Sequence, residues 1–197
     1  MSVGMAIERW GLLALATAGA CSKTHAPETP LRVAAAADLA LAFADIGQVF
    51  ERETKTRVVF SFGSTGQLAK QVTEGAPFDL FAAANVAFVD QVVGAGVCDG
   101  STKELYGRGR IGVWAPNGTA VPTLAALREP RFRKLAIANP EHAPYGRAAK
   151  QALEAAGLWA ELAPRLVYGE NVQQTLKFAQ SGNADAAIVA ASLGASA

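Results

Sequence analysis

The chain has 197 residues, of which 51% are apolar and 18% charged, with a formal net charge of +1. That balance suits one large or two small globular domains with a sizeable core. It gives no basic footprint for nucleic acid.

The N-terminus reads as an export signal. Arg9 precedes the apolar run Trp10 to Ala20, which is too short to span a bilayer as a mature helix. Ala18-Gly19-Ala20-Cys21 resembles a bacterial lipoprotein cleavage box, with Ala18 where Leu is usual. On that reading residues 1–21 are the signal and Cys21 is the lipidated first residue; ordinary cleavage near Ala20 or Ala26 is the alternative. Residues 22–30 are polar with Pro27 and Pro30 and read as a tether. The only other cysteine, Cys98, is expected to be a packed thiol rather than a disulfide partner.

The mature chain alternates strand and helix. Leu31–Ala37 is a short apolar run, expected to be a buried parallel strand that Asp38 ends. Leu39, Phe43, Ile46 and Phe50 then recur at helical spacing, and Asp38 is placed to cap that helix. A strand at 57–62 leads through Gly63-Ser64-Thr65-Gly66 into a helix over about 66–75, closed by Gly75 and Pro77. Asp79–Ala83 is a third strand, and Asn85 caps the helix after it. The order βαβαβα implies a parallel sheet covered on both faces, with ligands at the carboxyl ends of its strands.

Arg110–Pro116 is a strand and the candidate crossing into a second lobe. A short helix over Thr123–Leu127, a strand over Lys134–Ala138 and a loop from Asn139 to Gly146 follow. Then come an Ala-rich helix over Ala148–Ala156, a strand at Leu166–Tyr168, a helix over Val172–Gln180 and a last strand over Ala184–Ala190. The expected division is a first lobe over 31–110 and a second over 111–197.

Ser64 and Thr65 sit between two glycines where a strand gives way to a helix. The first amides of such a helix are unpaired and its dipole is positive there, so the turn can hold an anion. The plainer reading is an ordinary hydroxyl N-cap. Gly63-Ser64-Thr65-Gly66 lacks the Lys of a nucleotide-binding P-loop. His142 has no second His or Cys at ligand spacing, so it is read as a loop residue and no metal site is expected.

Four stretches carry a family resemblance. They are Val33-Ala-Ala-Ala-Ala-Asp38-Leu39, Ser61-Phe62-Gly63-Ser64-Thr65-Gly66, Glu74-Gly75-Ala76-Pro77-Phe78-Asp79-Leu80-Phe81, and Asn139-Pro140-Glu141-His142-Ala143-Pro144-Tyr145-Gly146 with Gly169-Glu170-Asn171-Val172 after it. Taken in order across residues 31 to about 190, they resemble the periplasmic molybdate-binding proteins of ABC transporters. The resemblance implies an α/β fold of two lobes, the type II periplasmic binding protein fold, with the ligand in the cleft between them. It implies a monomeric extracytoplasmic receptor that delivers molybdate, and tungstate with it, to a separate permease. It implies no cofactor, no catalysis and no membrane contact beyond a lipid anchor.

Carried over by position, the implied ligand contacts are Ala37 or Asp38 at the first strand end, Thr65 with Ser64 beside it, Tyr145, and the backbone at Val172. Some members place a ligand tyrosine on the last strand, where this chain has Ala190; Tyr145 matches the alternative position. Molybdate is a tetrahedral dianion that can only accept hydrogen bonds, so neutral donors and helix dipoles suit it. Sulfate is smaller and would leave donors unmatched, at roughly 1–3 kcal/mol each.

Two departures from the family stand out. The usual first-strand hydroxyl is replaced by Ala37 and Asp38, and a carboxylate repels a dianion. Asp38 is therefore expected to turn away and cap its own helix, the alternative being that it is protonated or accepts a proton from an ion such as hydrogen phosphate. Family members also continue for several dozen residues beyond the position of Ala197 and return to the first lobe. Three other readings stay open: a receptor for another oxyanion such as sulfate or phosphate, an exported enzyme with Ser64 or Thr65 as nucleophile, for which only His25 and His142 could serve as base, and a ligand-free surface lipoprotein that retains the fold.

Overall fold

A computed structural model describes residues 29–197, so the export signal, Cys21 and most of the tether lie outside the described residues. Seven strands fall into two sheets. The first sheet holds β1 (Leu31–Ala36), β2 (Val58–Gly63) and β3 (Leu80–Ala82), all parallel, in the order β2-β1-β3. The second holds β4 (Ile111–Trp114), β5 (Leu135–Ala138), β6 (Leu166–Gly169) and β7 (Ala186–Ala190), in the order β4-β7-β5-β6. β5 is parallel to β6 and β7, while β4 runs antiparallel to β7 at the edge. The alternation of β and α in the sequence carries no sign of that reversal.

Helices α1 (Ala40–Thr54), α2 (Thr65–Thr73) and α3 (Val86–Gly94) serve the first sheet. Helices α4 (Pro144–Ala155), α5 (Trp159–Leu162), α6 (Val172–Gln180) and α7 (Ala191–Ala195) serve the second. Among the described residues the chain passes from one lobe to the other once. The segment after α3 is tied to it by the Lys103–Asp90 ion pair, and the crossing follows between Lys103 and Arg110.

The two lobes repeat one plan. In each, a central strand (β1 or β5) has the next strand in sequence on one side and the one after that on the other. The strand order therefore reverses between β1 and β3 in the first sheet and between β5 and β7 in the second, and open parallel sheets leave a crevice at the carboxyl ends beside such a switch point. The amino ends share a splice as well. Asp79 accepts the amide of Arg32 on its Oδ2 at 2.7 Å and donates its own amide to Arg32 O at 2.8 Å. Asp185 does the same with the amides of Arg133 and Lys134 at 2.7 and 2.8 Å, and donates to Lys134 O. The aspartate of the Pro77-Phe78-Asp79 phrase is thus a strand fastener.

Buried apolar strands fix the core. β7 is buried along its whole length, as is β5, and both pack against Leu127, Phe132, Leu153 and Leu162 on one face and α6 on the other. Ala34 with Leu68, Val72, Phe88 and Val92 forms the first lobe's core under α2 and α3, with Cys98 half-buried against it. The opposite face is thinner. Leu39 and Phe43 reach the sheet and Phe43 meets Phe60 at 5.7 Å, but Ile46 and Phe50, expected on the same apolar face, are 57% and 37% exposed. The periodicity of α1 marked an apolar stripe without a neighbour to cover all of it among the described residues.

Other departures are local. α4 begins at Pro144, not near Ala148, because proline is well suited to the first helical position; Tyr145 and Gly146 are therefore helical and the preceding loop is shorter. A single 3-10 turn, Ala37–Leu39, separates β1 from α1. Asp38 lies inside that turn and its side chain caps neither it nor α1. Asn85 and Asn171 do cap, with Asn85 Oδ1 accepting from the Ala87 amide at 2.8 Å and Asn171 Oδ1 from the amides of Gln173 and Gln174 at 3.0 Å.

Candidate functional site

Strand ends of both lobes open onto one small cavity between the lobes. The first lobe contributes Ala36, Ala37 and Asp38 from the end of β1, Gly63, Ser64 and Thr65 from the end of β2, and Ala84 after β3. The second contributes Ala143, Pro144 and Tyr145 at the start of α4, and Asn171 and Val172 at the start of α6. All six positions singled out in the sequence, Ala37, Asp38, Ser64, Thr65, Tyr145 and Val172, line it. Ala190 does not; it is buried in β7 opposite Ile111.

Helix starts converge here, from the turn leading into α1 and from α2, α4 and α6. Only α6 has a side-chain cap, and that cap takes the amides of Gln173 and Gln174, not that of Val172. No Lys, Arg or His is among the lining residues. Positive character in the wall comes from backbone amides and dipoles, which fits an anion held without a counter-charge.

The two hydroxyls at the centre behave differently. Thr65 is 1% exposed and caps nothing; its Oγ1 accepts from the Ala84 amide at 3.1 Å, which leaves the hydroxyl proton for the cavity. Ser64, 3% exposed, donates to the carbonyl of His142 at 2.7 Å. Its single proton is thereby engaged, so His142 Nδ1, 2.9 Å from Ser64 Oγ, is assigned as the N–H donor to it. His142 Nε2 lies 3.7 Å from Glu170 Oε2. A hydroxyl, an imidazole and a carboxylate thus stand in a row, but the imidazole is a donor to Ser64 and cannot take its proton in this arrangement.

This row belongs to a seam joining the lobes. The Gly66 amide donates to His142 O at 2.9 Å, Gln67 Nε2 donates to Glu170 Oε2 at 2.8 Å, and the Arg147 guanidinium lies 4.8 Å over the Phe88 ring. Ala37 packs into the second lobe's cluster with Val172 and Leu176. Sequence spacing gave no sign of His142 or Glu170, because the partners of these residues lie 78 and 103 positions away.

Asp38 does not turn away. It reaches across the cleft, where its Oδ2 accepts from the Tyr145 hydroxyl at 2.8 Å, while its Oδ1 is buried with no hydrogen-bond partner. Burial pushes the Asp38 carboxyl above the ordinary aspartate value of 3.8, and the Tyr145 hydrogen bond opposes part of that rise. Burial, with the carboxylate adding to it, also raises both nearby phenols. Tyr106, which donates to Ala83 O at 2.6 Å, is pushed up to about 12, and Tyr145 goes higher still. Both remain protonated donors.

The raised carboxyl has a measurable consequence. The folded chain favours the protonated acid more than the unfolded chain does, so Asp38 contributes most below the unfolded value and loses that contribution as pH rises through the folded one. Ligand-free Asp38→Asn is expected to melt at a higher temperature than the parent at pH 7 to 8, with the gap closing towards pH 4. A gap independent of pH would show that charge burial is not the cause.

A family model described as bacterial extracellular solute-binding protein matches residues 31–197. The chain is similar to the molybdate-binding protein ModA of Azotobacter vinelandii, at 36% identity over 82% of this chain and 65% of that protein. It is similar to the molybdate-binding protein ModA of Rhodobacter capsulatus at 33% identity, over 74% of this chain and 58% of that one. The chain thus spans about three fifths to two thirds of the length of these curated relatives. Among solved structures, the Azotobacter vinelandii periplasmic molybdate-binding protein superposes with a TM-score of 0.78 at 29% identity, covering 81% of this chain and 71% of that one. Two α/β lobes facing across a cleft are the architecture such a relationship requires, and with the family model covering every element described above, the chain belongs to the bacterial extracellular solute-binding proteins.

Proposed function

We propose that the chain is an extracytoplasmic receptor for a tetrahedral oxyanion, molybdate and with it tungstate, which it hands to an ABC permease. The observation that carries this reading is the cavity itself, where mostly uncapped helix starts from both lobes meet around the Thr65 hydroxyl with no cationic side chain in the wall. An ion that only accepts hydrogen bonds would take the Thr65 hydroxyl proton and the free amides at the turn into α1 and at the starts of α2 and α6. Tyr145 would close over it from the second lobe. The similarity to molybdate-binding relatives supports the choice of ion. Because the family is one of solute receptors, the exported-enzyme reading falls.

Titration calorimetry with molybdate, tungstate, sulfate and phosphate tests the proposal. Molybdate and tungstate are expected to bind alike and far more tightly than sulfate. Thr65→Val keeps the shape and removes the donor, so its affinity for molybdate is expected to fall by about 1.5–3 kcal/mol, or roughly 10- to 150-fold, the worth of a hydrogen bond to a charged group. Thr65→Ser should retain most of the affinity. Equal binding by Thr65→Val would remove the hydroxyl from the site. Asp38 in the wall favours a second reading, hydrogen phosphate, an ion that carries its own proton; preferential binding of phosphate over molybdate in the same titration would select it.

A further inference from the structure

Asp38 Oδ1 is a buried acceptor without a donor, placed in the wall of a cavity shaped for a ligand that is itself all acceptor. A carboxylate oxygen and an oxyanion oxygen in contact repel each other, and neither has a donor for the other, unless a proton lies between them. The other carboxyl oxygen is committed to the Tyr145 hydroxyl, so the side chain is held in place and Oδ1 has no other donor to turn to. Resting on the receptor reading above, we propose that the site binds its oxyanion together with one proton, held between Asp38 Oδ1 and the nearest oxygen of the ion.

The surroundings leave Asp38 as the group that would carry this proton. From α4 it faces Tyr145, and from the crossing segment Tyr106 contributes to the local field; both are neutral phenols whose protons are firmly held. The lining residues from α2 and α6, Thr65, Asn171 and Val172, do not titrate. His142 and Glu170 lie beyond Ser64, side by side on the second lobe's edge of the seam, and do not line the cavity. Burial already favours the protonated form of Asp38 in the empty site, and an incoming dianion favours it further.

The proton has two sources. With molybdate or sulfate it comes from solvent, so one proton disappears from the buffer for each ion bound. With hydrogen phosphate it comes from the ion's own O–H, and the buffer loses none. In either case Asp38 Oδ1 changes from an orphaned acceptor into one end of a short hydrogen bond.

Calorimetry of the whole chain with molybdate at about pH 8, in two buffers of different protonation enthalpy, counts the protons directly. The expected result is close to one proton taken up per ion, with affinity falling about tenfold for each unit of pH above the Asp38 pKa of the empty site. Asp38→Asn places an N–H donor where the proton would sit. It is expected to bind molybdate with no proton uptake and no such pH slope, and about tenfold or more tighter than the parent at pH 8. Hydrogen phosphate, if bound, should show no uptake with the parent chain. Molybdate binding that is weakened in Thr65→Val but carries no proton and no pH slope would overturn this inference and leave the receptor reading standing. A folded chain that binds none of these ions would overturn the receptor reading, and this inference with it. The proton count on the parent chain decides the matter even if Asp38→Asn does not fold.

Discussion

Gly66→Ala is expected to weaken molybdate binding about 100-fold while both lobes stay folded. Gly66 lies in the first turn of α2, and a Cβ there would sit 2.6 Å from His142 O and 3.0 Å from His142 Cα, both backbone atoms of the opposite lobe. The nearest atom within its own lobe is the tip of the Phe88 ring at 3.0 Å, which can swing by the few tenths of an ångström needed. Alanine is also the better helix former, by about 1 kcal/mol. The clash therefore falls on the seam. Holding His142 away removes the Gly66 and Ser64 hydrogen bonds to its carbonyl and lengthens the Gln67–Glu170 contact. At about 1 kcal/mol for each of three such bonds the loss is roughly 3 kcal/mol, or about 100-fold in affinity. Calorimetry gives the affinity, and small-angle scattering of the ligand-free variant should show a larger radius of gyration than the parent. If both stay at parental values, the lobes close by some route other than this seam.

Gly146→Ala is expected to do the opposite, damaging the fold of the second lobe first and the cleft only as a result. Its Cβ would lie 2.1 Å from Ala138 O, 2.6 Å from Ala138 C and 2.9 Å from Asn139 C. These are main-chain atoms at the end of β5, which is pinned by β6 on one side and β7 on the other. No side chain can swing aside, so either α4 lifts from the sheet or β5 bends. Overpacking against fixed backbone sits at or beyond the upper end of the usual range, about 3 kcal/mol or more. For a chain of this size that lowers the melting temperature by about 6–12 °C. Thermal unfolding followed by circular dichroism measures it, and an unshifted transition would mean that α4 does not approach β5 this closely.

The contrast between legible and illegible features follows the range of the interactions. β5 and β7 announced themselves as apolar runs because both faces of each are covered. Asn85 was readable as a cap, since a cap and its amide are two residues apart, and Asn171, not singled out as a cap in the sequence, follows the same local rule. Pro144 obeyed an equally local rule, and reading it as the first helical residue places Tyr145 correctly. Asp38 failed for the opposite reason. Aspartate before an apolar helical stripe is a good local cap, but its hydroxyl partner lies 107 residues away, and the distant bond prevailed. The exposed half of the α1 stripe shows a second limit, because periodicity names the apolar side of a helix and says nothing about what is there to meet it. The candidate site was found through strand-end turns and family motifs, and its positions do share one cavity. The seam residues His142 and Glu170 carry no local signature, since their work is to touch another part of the chain.

Among the described residues the chain crosses between the lobes once, between Lys103 and Arg110, and this crossing bears on what closure means. Each described lobe is a contiguous stretch of sequence with its own sheet, and apart from Ala37, which packs into the second lobe's cluster, the buried residues of each core come from that lobe itself. For the described residues, closure is an association of two bodies on a short leash, at an effective concentration on the order of millimolar. Contacts that would hold the separated lobes together with only about millimolar affinity suffice to populate the closed form half the time. The seam, a few hydrogen bonds and one guanidinium over a ring, is on that scale. An ion grasped from both sides adds its bonds to an equilibrium already near balance, so a modest number of donors is enough to turn a loosely paired molecule into a latched one.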